Sequence, residues 1–116
     1  MIELSEVRVF LCTIPTKMNY SFDTLMGLTQ QIFDQDPLSG HLFLFVNPQR
    51  DRLKILFWDN DGLAIFYKRL ESGTFQLPKS TRGEHGGELD DRHLNRLLTG
   101  LDLRTGRRRK RYRRVS

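Results

Sequence analysis

The carboxy-terminal end of the chain carries a dense cluster of cations. Eight of the last thirteen residues are Arg or Lys, and none of the thirteen is acidic. The cations are Arg104, Arg107, Arg108, Arg109, Lys110, Arg111, Arg113 and Arg114. Guanidinium groups hold phosphate oxygens through paired hydrogen bonds, and cations that neutralise phosphates release condensed counterions. The pattern therefore predicts a segment that binds a polyanion, and nucleic acid is the polyanion that it fits best.

The rest of the chain has the opposite charge. The 116-residue chain has a formal net charge of +5, and the tail alone contributes eight positive charges, so residues 1–103 carry a net charge of −3. We expect residues 1–103 to form a single domain and residues 104–116 to be disordered, because the tail has little to bury and repels itself. A tail that only solubilises the protein, or that lies on its acidic body, is the alternative. Charge alone does not separate DNA from RNA.

A second group of cations falls on two neighbouring predicted strands and the turn before them. The group consists of Arg50, Arg52, Lys54, Lys68 and Arg69. Arg52 and Lys54 are two residues apart, so they share one face of the sheet, and the next strand ends with the last two members of the group. We expect a basic patch that orients a bound duplex. An ordinary solvated face, interleaved with acidic residues, is the alternative.

No pattern in the sequence predicts catalysis or a metal centre. Residues 59–62 have the Asp-Asn-Asp-Gly order of part of a calcium loop, but the first and twelfth ligand positions fall on Phe57 and Lys68. The three histidines lack metal-ligand spacing, and the acidic residues mark no convergent cluster. We expect a protein that is not an enzyme and that has no cofactor, no metal and no small-molecule substrate. An enzyme acting on nucleic acid is the alternative.

Short strands joined by tight turns are expected to position the cations. The predicted strands are residues 7–12, 41–46, 53–58, 63–69 and 74–77. The close spacing of the strands from residue 41 onward predicts that they pair antiparallel, because parallel pairing needs a crossover of a dozen or more residues. The glycine-rich polar residues 79–88 are expected to form a mobile loop.

Two helices are expected beside this sheet. Apolar residues recur at helical spacing from Phe22 to Phe33. Ser21 immediately precedes them, and serine is a preferred residue at the N-cap of a helix. The following Asp36-Pro37 pair should stop this helix, and Gly27 within it indicates close packing against the sheet. A second helix is predicted from Asp90 to Gly100.

The predicted fold class is α+β. It has an N-terminal strand and helix, an antiparallel meander of three to four strands, a C-terminal helix and a disordered basic tail. We expect both helices to cover the same face of the sheet, because their apolar residues need one surface to bury against. These residues are Leu25, Leu28, Ile32, Leu94, Leu97 and Leu98.

The remaining sequence features concern the cellular compartment of the protein. The single cysteine, Cys12, lies in an apolar run and is expected to be a buried hydrophobe. No apolar run is long enough to span a membrane, and the N-terminus lacks the features of a signal peptide. We expect a cytoplasmic, nucleoid-associated protein with no membrane partner.

Three motifs resemble those of a known family. They read D-P-x-S-G-H-L-F at residues 36–43, D-R-L-K-x-L-x-W-D at residues 51–59 and Y-K-R-L-E-x-G-x-F at residues 67–75. With them, residues 7–114 resemble TnpB, the second-reading-frame protein of the insertion-sequence-66 family. The resemblance implies a non-enzymatic accessory protein of bacterial transposition that works beside the transposase of the same element, which cuts and joins DNA.

The chain departs from this family before the first helix. The family has an Asp-Met-Arg-Lys-Ser-Phe-Asp-Gly run there, whereas residues 17–24 read Lys-Met-Asn-Tyr-Ser-Phe-Asp-Thr. Two cations are missing just before the helix, and one is gained at Lys17. If the family's cations touch DNA or the transposase, the resemblance implies a weaker contact in this chain.

A second function is open at this point, namely a protein adaptor that binds the transposase without binding DNA. The aromatic residues that could form its interface are Phe57, Trp58, Phe66, Tyr67 and Phe75. The same residues are also candidates for the core of the small sheet.

Overall fold

Two short apolar strands lie side by side in parallel within a five-stranded sheet. The computed structural model describes residues 7–77, 85–90, 92 and 97. Its elements are β1 (Val9–Cys12), α1 (Phe22–Phe33), β2 (Leu42–Val46), β3 (Arg52–Asp59), β4 (Gly62–Arg69) and β5 (Gly86–Leu89). The strand order is β4-β3-β2-β1-β5, in which β1 runs parallel to β2 and every other neighbour is antiparallel.

The parallel pair joins the predicted N-terminal strand to the meander, a pairing that the sequence did not predict. The predicted antiparallel meander is confirmed for β2, β3 and β4, which are joined by two tight turns. Strand β1 can lie parallel to β2 because the long segment between them contains α1 and so provides the crossover that parallel strands need. The observed sheet is therefore mixed and has five strands, with one complete helix among the described residues.

The central strands of the sheet, β1 and β2, are buried on both faces. Side chains alternate along each strand, so successive residues of β1 and β2 enter two different clusters. The helix-face cluster lies under α1 and consists of Phe10, Cys12, Leu25, Phe43, Phe45 and Leu56. The opposite-face cluster consists of Val9, Leu11, Leu42, Leu44, Val46, Leu53, Ile55, Phe75, Leu89 and Leu97. Burial on both faces explains why β1 and β2 are continuously apolar.

The residues that pack on the two faces of the sheet differ from the prediction that both helices cover one face. Leu97 packs in the opposite-face cluster, whereas Leu25 of α1 lies in the helix-face cluster. The expectation that both predicted helices cover one face is therefore wrong, because both faces of the central strands are apolar and both must be covered. Residues 93–96 and 98–116, which include Leu94, Leu98 and the predicted tail, lie outside the described residues, so the C-terminal helix and the disordered tail stay predictions.

Helix α1 begins where the sequence predicts and ends slightly earlier. Ser21 is the N-cap, although its side chain makes no capping hydrogen bond. The helix ends at Phe33, and Asp34 adopts the left-handed conformation with φ 52° while its N–H donates to the Gln30 carbonyl at 3.1 Å. The prediction that Gly27 packs closely on the sheet is wrong, since a Cβ at this position would meet nothing within 4 Å.

Two predictions near the end of the domain are also corrected. Residues 74–77 do not form a strand; they pass over the opposite face, where Phe75 is buried. Gly86–Leu89, predicted as part of a mobile loop, forms β5 along the outer edge of β1. Residues 78–84 lie outside the described part of the chain.

Strand β5 is held against β1 by a close backbone approach and an ion pair. A Cβ at Gly86 would lie 2.6 Å from the Leu11 carbonyl oxygen and 2.9 Å from Cε1 of Phe33, so only glycine fits without a shift. Two residues further on, Glu88 accepts hydrogen bonds from Arg8 Nε at 3.1 Å and Nη2 at 2.8 Å. The hydrogen bond from Arg8 lowers the pKa of Glu88.

A pair of glycine substitutions tests the packing around β5. We expect Gly86→Ala to destabilise the protein by about 1–3 kcal/mol, because the new methyl group overpacks a backbone contact. We expect Gly27→Ala to stabilise it by about 0.5–1 kcal/mol, since the site is open and alanine favours the helix. Urea unfolding of both variants measures the two free energies, and equal effects of the two substitutions would contradict this packing.

The pH dependence of unfolding tests the Arg8–Glu88 pair. Above the ordinary glutamate pKa of about 4.3 the carboxylate is ionised in both states, and the pair stabilises the fold. As the pH falls through the lower folded-state pKa, Glu88 becomes protonated and this stabilisation is lost. We expect the wild type to exceed Glu88→Gln in urea midpoint at neutral pH and to match it in acid. A difference that stays constant with pH would refute this role.

Candidate nucleic-acid interface

The turn between β2 and β3 is built around the side chain of Asn47. Its Oδ1 accepts the backbone N–H groups of Asp51 at 3.0 Å and Arg52 at 2.9 Å. Its Nδ2 donates to Asp51 Oδ1 at 2.7 Å and to Gln49 Oε1 at 3.2 Å. Asn47 is only 7% exposed, so these bonds form in a partly dry environment where losing them is costly. The turn is therefore fixed in one conformation.

Two other segments are tied to this turn. The loop before α1 is held by the Thr16 N–H, which donates to the Val46 carbonyl at 2.8 Å. On the other side, the N–H groups of Leu70 and Phe75 donate to the carbonyls of Asp51 and Arg50, each at 2.7 Å. Residues separated by more than fifty positions in the sequence thus meet at one end of the sheet.

An open cleft of about 560 Å³ lies between the loop before α1 and the turn. Its lining residues are Lys17, Met18, Asn19, Asn47, Pro48, Gln49, Asp51 and Arg52. The ammonium of Lys17, the guanidinium of Arg52 and the exposed amide of Asn19 are all donors of the kind that bind phosphate oxygens. One carboxylate oxygen of Asp51 already accepts a hydrogen bond from Asn47. The charged residues of the lining are thus two cations and one carboxylate, so the cleft carries a net positive charge.

The strand register places two arginines directly opposite one another beside this cleft. Arg52 of β3 pairs with Arg69 of β4. Like charges opposite one another across two strands destabilise a sheet. Arg69 is partly compensated by an exposed ion pair with Glu71, with 3.1 Å between Nε and Oε2, whereas Arg52 forms no ion pair with any described residue. A bound anion would relieve this repulsion.

Lys54, predicted to be part of the basic patch, is a structural residue. It is only 8% exposed, and its Nζ donates to the Tyr20 carbonyl at 2.8 Å. The same atom lies 4.8 Å from the centre of the Tyr67 ring, in a cation–π contact. Lys54 shares a sheet face with Arg52 as predicted, but this arrangement fixes the loop before α1 to the sheet.

The other predicted patch residues are divided between two surfaces. Lys68 pairs with Leu53 of the opposite-face cluster and therefore points away from Arg52 and Arg69. Arg50 is exposed in the turn with a left-handed backbone, φ 60°. The structure thus brings Arg52 and Arg69 together, places Arg50 in the adjoining turn, separates Lys68 and shows Lys54 to be buried. The eight tail cations lie outside the described residues.

Sequence reasoning missed the cleft's second wall. Lys17 and Asn19 precede the turn by about thirty residues, and no local pattern links the two segments. The one available signal was the departure from the family's motif at residues 17–24, because this run forms part of the wall. The single cation of that wall is at Lys17.

Most of the aromatic residues considered for a protein interface belong to the core. Phe75 is 4% exposed, and Phe57 and Phe66 pack against the opposite-face cluster. Trp58 is half-buried. Tyr67 is 48% exposed, but its ring contacts Lys54. Phe75 is therefore unavailable to a partner, and the other four offer only their exposed or partly exposed surface.

The titratable residues of the core are engaged in the fold. His41 Nδ1 accepts the backbone N–H of Arg8 at 3.0 Å, which is a structural role. Cys12 is buried, and this burial raises the pKa of its thiol. Within the described ranges, no group of three or more His, Cys, Asp or Glu residues is placed to hold a metal ion. No helix of the described part is long and apolar enough to cross a membrane.

Comparison with known proteins places the chain in a family. The model of the family described as IS66 Orf2-like protein matches residues 7–108. The chain belongs to this family. The match covers the whole sheet, both walls of the cleft and the first three cations of the arginine-rich tail. Membership connects the protein with insertion sequences and indicates an accessory role in their transposition.

Two curated relatives come from Sinorhizobium fredii. The uncharacterized protein y4hO is 34% identical over 98 residues, which cover 84% of each of the two chains. The uncharacterized protein y4jC is 29% identical over 96 residues, covering 83% of this chain and 80% of the relative. No solved structure matches the chain.

Replacing Asn47 tests the architecture of the turn. We expect Asn47→Ala to destabilise the protein by about 2–4 kcal/mol, because two backbone N–H groups lose their acceptor in a partly dry site. Gln49→Ala is the matched control, since Gln49 is exposed, and it should change stability by no more than about 0.5 kcal/mol. Urea unfolding measures both, and a small effect at Asn47 would mean that the turn does not depend on it.

Proposed function

We propose that the protein is a non-enzymatic accessory factor that binds DNA during transposition of an IS66-type element. The observation that carries this proposal is the arginine-rich tail, in which eight of thirteen residues are cationic and none is acidic. Membership in the IS66 Orf2-like family supports DNA as the polyanion, because transposition acts on DNA. The net negative charge of residues 1–103 leaves the tail as the main source of electrostatic affinity for a polyanion.

The tail and the cleft would contribute differently to binding. A tail of arginines follows the phosphate backbone without reading sequence, and its contribution depends strongly on salt. The cations Lys17 and Arg52 are attached to a fixed turn, so they would hold a phosphate at one place and orient the duplex on the sheet. Arg69 lies directly opposite Arg52 and adds to the local positive potential. The tail would therefore supply affinity, and the cleft would supply orientation.

A salt titration of DNA affinity tests this division. If all eight tail cations touched phosphates of B-DNA, they would contribute about −7 to the slope of log affinity against log salt, at roughly 0.9 per contact. Deleting residues 104–116 should therefore weaken binding and flatten the slope sharply. Removing Lys17 and Arg52 together should reduce the slope by about 2 through the loss of two contacts.

Lys68→Gln is the matched control for these cation substitutions. It removes a charge from β4, but from the sheet face that points away from Arg52 and Arg69. We expect the salt slope of this variant to remain that of the wild type once folding has been verified by circular dichroism. Unchanged affinity and slope after truncation of the tail would refute the proposed function.

Binding to the transposase of the same element is the second candidate function. Capture of that transposase by the tagged protein, with and without nuclease treatment, separates the two candidates. Capture that depends on intact DNA supports the proposed function, and capture that resists nuclease supports an adaptor. Of the aromatic residues that could form an adaptor interface, Phe75 is buried and Phe57 and Phe66 are partly buried, so an adaptor would use the surface that stays exposed.

A further inference from the structure

The outer edge of β4 is built for pairing with another strand. Among the described residues β4 pairs only with β3, so its second row of backbone N–H and C=O groups faces away from the sheet. The strand is eight residues long, and the first six, Gly62 to Tyr67, contain neither a charge nor a proline. Proteins usually protect such edges with charges, prolines or bulges. The middle of this edge has none of these protections.

The charges around β4 indicate what can pair with it. Asp61 precedes the strand in the β3–β4 turn and Asp59 ends the neighbouring strand β3, whereas Lys68 and Arg69 end β4 and are followed by Glu71, which pairs with Arg69. An antiparallel copy of the same strand would bring the acidic end of each chain to the basic end of the other. A parallel copy would place like charges together. The edge is thus electrostatically complementary to itself in the antiparallel direction only.

We propose that two copies of the protein pair through β4 and form one continuous ten-stranded sheet. If the two-fold axis is perpendicular to the sheet, each face of one copy continues into the same face of the other copy. Because side chains alternate between the two faces, residues opposite one another must then both have odd numbers or both have even numbers. Centring the pair on Ile65 aligns seven residues of β4 and sets Asp61 opposite Arg69 of the second copy. Centring it on Phe66 also aligns seven residues but sets Arg69 opposite Leu63.

Side-chain sizes agree with the register centred on Ile65. On the opposite face, Phe66 meets Ala64 of the second copy, a large residue against a small one. On the helix face, Tyr67 meets Leu63, an aromatic residue against an aliphatic one. Tyr67 is 48% exposed and Phe66 is partly exposed in the single chain, so both have surface to bury. Arg69, which already contacts Glu71, would gain a second carboxylate.

Cysteine cross-linking tests both the dimer and its register. Directly opposite residues of antiparallel strands have Cα atoms about 4.5–5.5 Å apart, which is within the range that a disulfide bridges. Under mild oxidation, Ile65→Cys should give a covalent dimer on a non-reducing gel. The wild type should not, because its Cys12 is 2% exposed.

The flanking positions provide register controls that do not depend on Ile65. Leu63→Cys alone and Tyr67→Cys alone should remain uncross-linked, whereas an equal mixture of the two variants should form the mixed dimer. Circular dichroism of each reduced variant establishes that it is folded. Equal cross-linking of Leu63→Cys with itself would overturn the register, and no cross-link in any combination would overturn the dimer.

Charge reversal tests the end contacts by sedimentation equilibrium. Asp61→Arg and Arg69→Asp should each raise the dimer dissociation constant by about tenfold, because each creates two like-charge pairs per dimer. The double variant should recover most of the wild-type affinity. A wild-type protein that stays monomeric while the β4 amides resist hydrogen exchange would overturn the proposal, since another segment of the same chain would then cover the edge.

Discussion

The fold depends on the burial of two short strands from both sides. Strands β1 and β2 have no polar face, so a single helix packed on one side would leave half of their side chains in water. Helix α1 covers one side, while Phe75, Leu89 and Leu97 contribute to the cover of the other. Segments from the whole length of the chain are thereby drawn to the same two strands. The cleft beside the β2–β3 turn results from this convergence.

The fixed turn shows how a small sheet can hold charges at a defined place. Arginine and lysine side chains lose considerable rotamer freedom when they are ordered, so their anchoring backbone has to be rigid if they are to orient a ligand. Asn47 supplies that rigidity, and the bonds from Thr16, Leu70 and Phe75 reinforce it. The cations of the tail need no such support if their role is to track a phosphate backbone.

Much of this fold follows from local sequence patterns, and the exceptions have physical causes. Apolar runs and turn residues predict β2, β3 and β4 to within one or two residues, and Ser21 marks the start of α1. Strand β5 was missed because Gly-Gly-Glu-Leu carries no strand pattern, and its only signal is the space that Gly86 leaves for Leu11 and Phe33. The parallel pairing of β1 was missed because strand spacing does not say which strand a crossover returns to.

The candidate site was harder to predict than the fold. The alternation of side chains along a strand correctly predicted that Arg52 and Lys54 share one face of the sheet. It does not predict which residues cover that face. Tyr20 and Tyr67 cover Lys54 and leave Arg52 open, and neither contact has a local signal. The wall that contains Lys17 is likewise a product of tertiary packing. Binding surfaces assembled from distant segments require the structure.

The position of β5 has a consequence for synthesis of the protein. Strand β1 leaves the ribosome before the other described strands, yet its outer neighbour β5 is the last of these strands to be translated. Until residue 89 has emerged, the nascent chain displays an unpaired apolar edge at its amino-terminal end, while the meander can already form. Such an edge is a site of misassembly between nascent chains. Rapid translation through Leu89 would therefore shorten the time for which this edge of β1 is exposed.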